Sequence, residues 1–183
     1  MASILLAYGS RYGATRETAQ QIAVSLRRKH TVKLADLTKA HPDPSSFDGV
    51  IVASGIKVGR WTRHARKFLE EHKDVLAHKT LGLFVCSATA LVKHEEAKRL
   101  YLDDVVRQIG LKADIFEAFG PILDFSKNSP LGFLDRMMLK AAAKDMEKNH
   151  GLKLNLTEKN DLRDQKKIEA YAEQFSKLAA KAK

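Results

Sequence analysis

The residues best suited to do chemistry lie close together near the amino terminus, in Ala7-Tyr8-Gly9-Ser10-Arg11-Tyr12-Gly13-Ala14-Thr15. Ser10 and Thr15 offer hydroxyl donors, Arg11 a positive charge, and Gly9 and Gly13 let backbone approach a ligand. The apolar run Ile4-Leu5-Leu6-Ala7 precedes the stretch, and Ala19, Ile22, Ala23 and Leu26 recur at helical spacing after it. The order is strand, tight loop, helix. The first amides of a helix have no intrahelical partners and carry the positive end of its dipole, so such a turn makes a cradle for phosphate. A dinucleotide fingerprint needs glycine where Arg11 stands, and a Walker loop needs Gly-Lys-Ser/Thr where Gly13-Ala14-Thr15 stands. The pattern therefore suits a terminal phosphate monoester better than NAD or ATP.

Two further stretches follow strand-like runs. Ser54-Gly55-Ile56-Lys57-Val58-Gly59-Arg60-Trp61 comes after the apolar segment 49–54, and Ser87-Ala88-Thr89-Ala90-Leu91 comes after 81–86. Open parallel sheets bind ligands at the carboxyl ends of their strands, around the point where strand order reverses. Small residues there let backbone lie against a planar ring. Trp61 either borders such a ring or caps the core.

The elements that must position these loops can be read from periodicity. Strands are expected at 31–37, 49–54, 81–86 and 113–120 besides the first. Thr62 is placed to cap a helix whose Ala65, Phe68, Leu69, His72 and Leu76 share a face. A second helix is expected at 95–109, with Ala97, Leu100, Tyr101, Val105 and Ile109 on its apolar side. The closing helix, 164–180, buries Ile168, Tyr171, Ala172, Phe175 and Leu178. Five strands with interleaved helices make an α/β, doubly wound parallel sheet in a single domain, 1–183. Residues 121–163 form a long, partly helical insertion after the fifth strand. Within it Leu131, Leu134, Met137, Met138, Ala141 and Ala142 make an apolar stripe, with Arg136, Lys140, Lys144 and Lys148 recurring beside it. Such a basic amphipathic helix serves a membrane surface, a lid on a ligand pocket, or ordinary packing with its lysines in water.

Composition bounds the partners. The 183 residues carry a net charge of +10, which concentrates anions near the chain but does not choose among nucleic acid, acidic proteins, lipid headgroups and carboxylate-bearing small molecules. The single cysteine, Cys86, excludes an intrachain disulfide and any multi-cysteine metal site, and its apolar setting reads as a buried structural thiol. No His pair has the spacing of a helical zinc site, so no metal is expected. No run approaches the roughly 20 apolar residues of a membrane span, and the first residues lack a secretory pattern, so the expected location is cytoplasmic.

The chain resembles the flavodoxin-like superfamily, and within it is most similar to the menaquinone-dependent protoporphyrinogen IX dehydrogenase family. Three features carry this. Ser10-Arg11-Tyr12-Gly13-Ala14-Thr15 is similar to that family's Thr/Ser-Arg-x-Gly-x-Thr. Ala53-Ser54-Gly55-Ile56-Lys57-Val58-Gly59 stands after the third strand. Phe119-Gly120-Pro121-Ile122-Leu123 is followed by Phe133-Leu134-Asp135-Arg136-Met137-Met138-Leu139-Lys140, an insertion that flavodoxin carriers lack. Residues 150–164 depart from the family in having no Thr-Asp-Trp stretch.

The resemblance implies noncovalent FMN, with Ser10, Arg11, Tyr12, Gly13, Ala14 and Thr15 at the phosphate. Gly55, Ile56, Lys57, Val58, Trp61, Ser87, Ala88, Thr89, Ala90 and Leu91 would border the ring. It further implies oxidation of a porphyrinogen, with electrons passed through FMN to quinone at the inner membrane face. By their charge, Arg11, Lys57, Arg60, Arg136 and Lys140 are candidates for substrate carboxylates, the other reading of each being a solvated surface cation. No catalytic base is legible. The alternative is a flavodoxin-type electron carrier serving a protein partner. Nothing favours nucleic acid, and a homo-oligomer stays open.

Overall fold

The computed structural model describes residues 1–127, 129 and 132–181. Strand β1 (Ser3–Gly9) is paired on both edges, which is why a continuous apolar run serves as a strand here. Its side chains alternate between two layers: Ile4, Leu6 and Tyr8 pack on one face, Leu5 and Ala7 on the other. There follow α1 (Ala14–Leu26), β2 (Thr31–Asp36), β3 (Gly49–Lys57), β4 (Arg60–Trp61), α2 (Arg63–Glu71), α3 (Lys73–Leu76), β5 (Thr80–Cys86), α4 (Thr89–Val92) and α5 (His94–Lys98). A π turn, Arg99–Asp103, joins α5 to α6 (Asp104–Ile109). The chain then forms β6 (Ile115–Phe119), β7 (Ile122–Asp124), α7 (Phe133–His150), β8 (Lys159–Asp161) and α8 (Gln165–Lys181).

The main sheet runs β2-β1-β3-β5-β6, and each of these pairings is parallel. This is the expected doubly wound α/β arrangement. One layer of core joins the sheet to α1 and α8 through Ala19, Ile22, Leu26, Ile168, Tyr171 and Phe175. The other joins it to the α2–α6 side through Ala65, Phe68, Leu69, Leu76, Leu102 and Val105. Burying one such large apolar side chain is worth about 1.5–3 kcal/mol. Strand order reverses between β1 and β3, whose carboxyl ends pair Gly9 with Ser54. The loops after these two strands therefore open onto the same crevice.

Several local features differ from the sequence-based expectation. Strand β3 runs past the expected residue 54 to Lys57 and turns back in a tight hairpin with β4: Ile56 pairs with Trp61 and Lys57 with Arg60. Val58 (φ 49°) and Gly59 (φ 70°) turn it, both in the left-handed region that two-residue hairpins of this hand require. Thr62 occupies the N-cap of α2 but makes no capping bond, because its hydroxyl lies 3.1 Å from Ser54 Oγ. Thr89, Ala90 and Leu91 are not loop but α4, whose Ala90 amide donates to Ser87 Oγ at 3.2 Å. The helix expected at 95–109 contains the π turn, and its extra residue rotates the buried face onto Leu102 and Val106 while Leu100 and Tyr101 stay half-exposed.

The insertion packs through a face other than the apolar stripe read from its spacing. α7 forms where expected, but Leu134, Met137, Met138, Ala141 and Ala142 are exposed. Leu131 lies outside the described residues. The face that packs is Leu139, Ala143 and Met146, against Leu123, Phe125 and Leu154 in a third apolar cluster. An antiparallel pair, β7 with β8, borders this cluster and was not foreseen.

Candidate cofactor site

The 10–15 loop joins β1 to α1 in a tight turn. Gly13 sits at the N-cap of α1 with φ 94°, a conformation that a side chain would strain. No side chain caps this helix. Among the described residues, the amides of Arg11, Tyr12, Gly13 and Ala14 donate to no backbone carbonyl. The Ser10 hydroxyl is buried and has no hydrogen-bond partner. Free amides at a helix start, next to a buried and unsatisfied hydroxyl, are groups that an anion with several acceptor oxygens would satisfy.

The neighbouring strand ends complete the crevice. A Cβ at Gly55 would lie 3.2 Å from Thr15 Oγ1 and 3.9 Å from the Arg11 amide nitrogen, so a side chain there would crowd Thr15 where β3 approaches the 10–15 loop. Beneath them Cys86 is 5% exposed, and burial pushes its thiol up to about 11, so it is protonated and inert at neutral pH. Thr18 Oγ1, 3.5 Å from that sulfur, accepts a bond from Arg163 Nη1 at 3.1 Å. The Arg163 side chain is only 3% exposed and is held by Asp161 at 2.6 Å. This places a buried positive charge under the first turns of α1.

A cavity of about 570 Å³ occupies this switch point. Of the residues singled out by sequence, Ser10, Arg11, Tyr12, Ala14, Thr15, Gly55, Ile56, Lys57, Val58, Trp61, Ser87 and Ala88 line it. Gly13 shapes the loop without lining the cavity. Thr89, Ala90 and Leu91 are turned away by α4: the Thr89 hydroxyl lies 3.2 Å from Tyr101 Oη, Ala90 is in the core, and Leu91 packs on the insertion's apolar cluster. Trp61 caps the core and also reaches the cavity. It is 8% exposed within the core, with Nε1 donating to the Tyr101 carbonyl at 2.6 Å, and still contributes to the cavity wall. Arg136 and Lys140 do not line the cavity.

Sequence reasoning missed Thr38, Thr62, Arg63, His64, Cys86, Pro121, Ile122, Leu123 and Leu139 as lining residues. Thr38 follows the carboxyl end of β2, and the strand-end rule applied to that strand finds it. Leu139 carries no such signal, since it reaches the cavity from a helix far along the chain. A wider groove of about 760 Å³, lined by Arg99, Asp103, Arg107 and Lys112 among others, lies beside the loop that enters β6, at the opposite end of the strands.

Around the cavity mouth stand Arg11, Lys57, Arg60 and Arg63, with Asp135 of α7 among them. Its hydrogen bond from Lys57, together with one from Tyr12, holds the Asp135 carboxyl below the usual carboxylate range. The same pairing raises the Lys57 ammonium.

Fold and crevice together define a doubly wound α/β protein with a cavity and unpaired helix-start amides at its switch point. The chain belongs to the Flavodoxin domain family, whose pattern it matches over residues 5–153. No curated protein matches the sequence. Among solved structures, rubredoxin:oxygen oxidoreductase from Desulfovibrio gigas is similar with a TM-score of 0.60 and 17% identity, over 98% of this chain and 36% of that one. This chain thus spans little more than a third of that protein. A short-chain flavodoxin associated with a bacterial microcompartment has a TM-score of 0.57 at 15% identity, covering 98% of this chain and 99% of that one. The flavodoxin of Fusobacterium nucleatum, solved with flavin mononucleotide bound, has 0.53 at 13%, over 99% and 98%. At such identities the likeness is one of fold.

The residues present fit FMN. The loop 10–15 offers free amides and hydroxyls to one phosphate, Gly55 leaves room at its edge, and the hairpin and the start of α4 wall a space of the size that ligand sites take.

Proposed function

We propose that the protein is an FMN-dependent oxidoreductase that takes electrons from a reduced small molecule and passes them to a quinone, on the pattern of protoporphyrinogen IX dehydrogenase. The flavin, when bound, supplies the two-electron chemistry. The chain's own residues bind and orient it: the 10–15 loop holds the phosphate, and the β3–β4 hairpin and Ser87-Ala88 border the ring. Thr89, Ala90 and Leu91 support that border from behind through α4.

The observation that carries the reading is the insertion. Pro121, Ile122, Leu123 and Leu139 contribute to the cavity, so a segment beyond the five-strand unit shapes the space beside the cofactor. An electron carrier has no need of such an added wall. Phe133, Leu134, Met137 and Met138 expose 77%, 74%, 55% and 51% of their surface, and Val58 across the Lys57–Asp135 bond exposes 79%. Four of these five apolar side chains share one exposed face of α7, with Arg136, Lys140 and Lys144 alongside at helical spacing. They suit contact with an anionic membrane surface, where a quinone acceptor resides. No helix among the described residues is long and apolar enough to cross a membrane, so the contact is peripheral.

The test starts with FMN added to the purified protein and free flavin filtered away. Retained flavin absorbance is expected, and its absence would remove the redox reading. The loaded protein is then given protoporphyrinogen and a soluble menaquinone analogue. Turnover without a protein partner is expected; reduction that requires a partner protein would support the carrier instead.

A further inference from the structure

The helix α7 is anchored unevenly. Its later turns sit on an apolar cluster through Leu139, Ala143 and Met146. Its first turns leave Phe133, Leu134, Met137 and Met138 exposed, so burial does little to hold them. Their side-chain link to the domain, among the described residues, is Asp135. Asp135 Oδ1 accepts hydrogen bonds from Tyr12 Oη and from Lys57 Nζ, each at 2.9 Å. Arg11 Nη2 stands 3.5 Å from Oδ2. The Arg11 and Lys57 cations also lie 5.7 and 5.9 Å from the centroid of the Tyr12 ring.

These donors come from different places. Arg11 and Tyr12 belong to the phosphate loop, and Lys57 to the hairpin after β3. One carboxylate, some 80 to 120 residues away in sequence, draws both loops to itself. The Asp135 side chain is 23% exposed and that of Lys57 30%, so water and salt screen the contacts only in part. Charge-assisted bonds in such a setting are stronger than neutral ones. One turn further along α7, Leu139 reaches the cavity.

We propose that Asp135 is a positioning residue, the catch that closes the first turns of α7 across the mouth of the cofactor cleft by joining the phosphate loop and the hairpin on one carboxylate. With the catch made, Tyr12 and Lys57 are held at the cleft and Leu139 stays over the cavity. With it broken, the outer turns of α7 swing away while Ala143 and Met146 keep the helix attached. The catch therefore sets how fast a ligand leaves. Its consequence for the cofactor rests on the FMN reading; the catch itself does not.

Two measurements separate these parts. Hydrogen exchange is followed in the protein without added flavin, comparing residues 133–139 with 143–149. FMN release from loaded protein is followed by the return of free-flavin fluorescence after dilution. Asp135→Ala should speed exchange in 133–139 and FMN release each about tenfold, with 143–149 unchanged. Asp135→Glu should restore both toward wild type, whereas Asp135→Asn, which keeps an acceptor but loses the charge, should not. Unchanged exchange at 133–139 in Asp135→Ala would overturn the catch, as would asparagine performing as well as aspartate. Faster exchange with unaltered FMN release would overturn its role at the cofactor. If wild-type protein holds no FMN, the cofactor reading fails while the exchange comparison still decides the catch.

Discussion

Ser10→Ala should move two quantities in opposite directions. The Ser10 hydroxyl is buried without a partner. An unsatisfied buried hydroxyl costs roughly 1–3 kcal/mol in proteins. Deleting it relieves that cost, less the small dispersion energy of one oxygen atom. The flavin-free variant should therefore be as stable as wild type or more so, by up to about 1 kcal/mol, which for a chain of this size is roughly 2–4 °C in Tm. FMN binding should suffer, because a hydroxyl donating to a phosphate makes a charge-assisted bond with a net worth of about 1.5–3 kcal/mol. That corresponds to a Kd raised roughly 10- to 150-fold. Thermal unfolding of the flavin-free protein and titration of FMN by fluorescence quenching give the two readings. Unchanged affinity would mean the hydroxyl does not face the phosphate. Lower stability without flavin would mean it already serves the fold, and either result refutes the reasoning.

Other outcomes can be checked as directly. Gly82 lies under α8, where a Cβ would come 2.7 Å from Phe175 Cδ2 and 2.7 Å from Tyr171 Oη, so Gly82→Ala should destabilise the fold by about 1–3 kcal/mol in urea unfolding. Cys86, with its thiol raised to about 11 by burial, should resist a thiol reagent at pH 8 in the native protein and react promptly once unfolded. Val58 holds φ 49° on an exposed turn, a conformation that costs a β-branched residue about 1–2 kcal/mol, so Val58→Asn should raise the unfolding midpoint. Arg163 holds the Asp161 carboxyl below its ordinary range. The stability this contributes is complete above the unfolded pKa of about 4 and is lost as pH falls through the lower folded value. Wild type should therefore exceed Asp161→Asn in stability at pH 7, with the gap closing below about pH 4.

Much of the architecture was legible because it is local. Alternation and helical spacing depend only on neighbours along the chain, and they located β1, β3, β5, α1 and α8 within a few residues. The 10–15 loop was legible for the same reason: strand, glycine-bearing turn and helix start are contiguous, so their geometry follows from their order. The π turn was not legible, since one extra residue in the helix changes which side chains face the sheet without changing their types.

On α7 the limit is clearest. Leu134, Met137, Met138 and Ala141 make one apolar stripe, and Leu139, Ala143 and Met146 make another on the opposite side. Periodicity accepts both. Only the packing partners Leu123, Phe125 and Leu154, brought near by β7, β8 and the chain between, select the second stripe and leave the first at the surface. The meeting of Asp135 with Tyr12 and Lys57 is of the same kind. The sequence by itself determined the elements and the strand-loop-helix turn at residues 9–15, because neighbouring residues suffice to specify them. Which face of α7 is buried, and which carboxylate meets the cations of the cleft, were decided by the tertiary structure, because those energies belong to contacts between segments whose meeting no local pattern encodes.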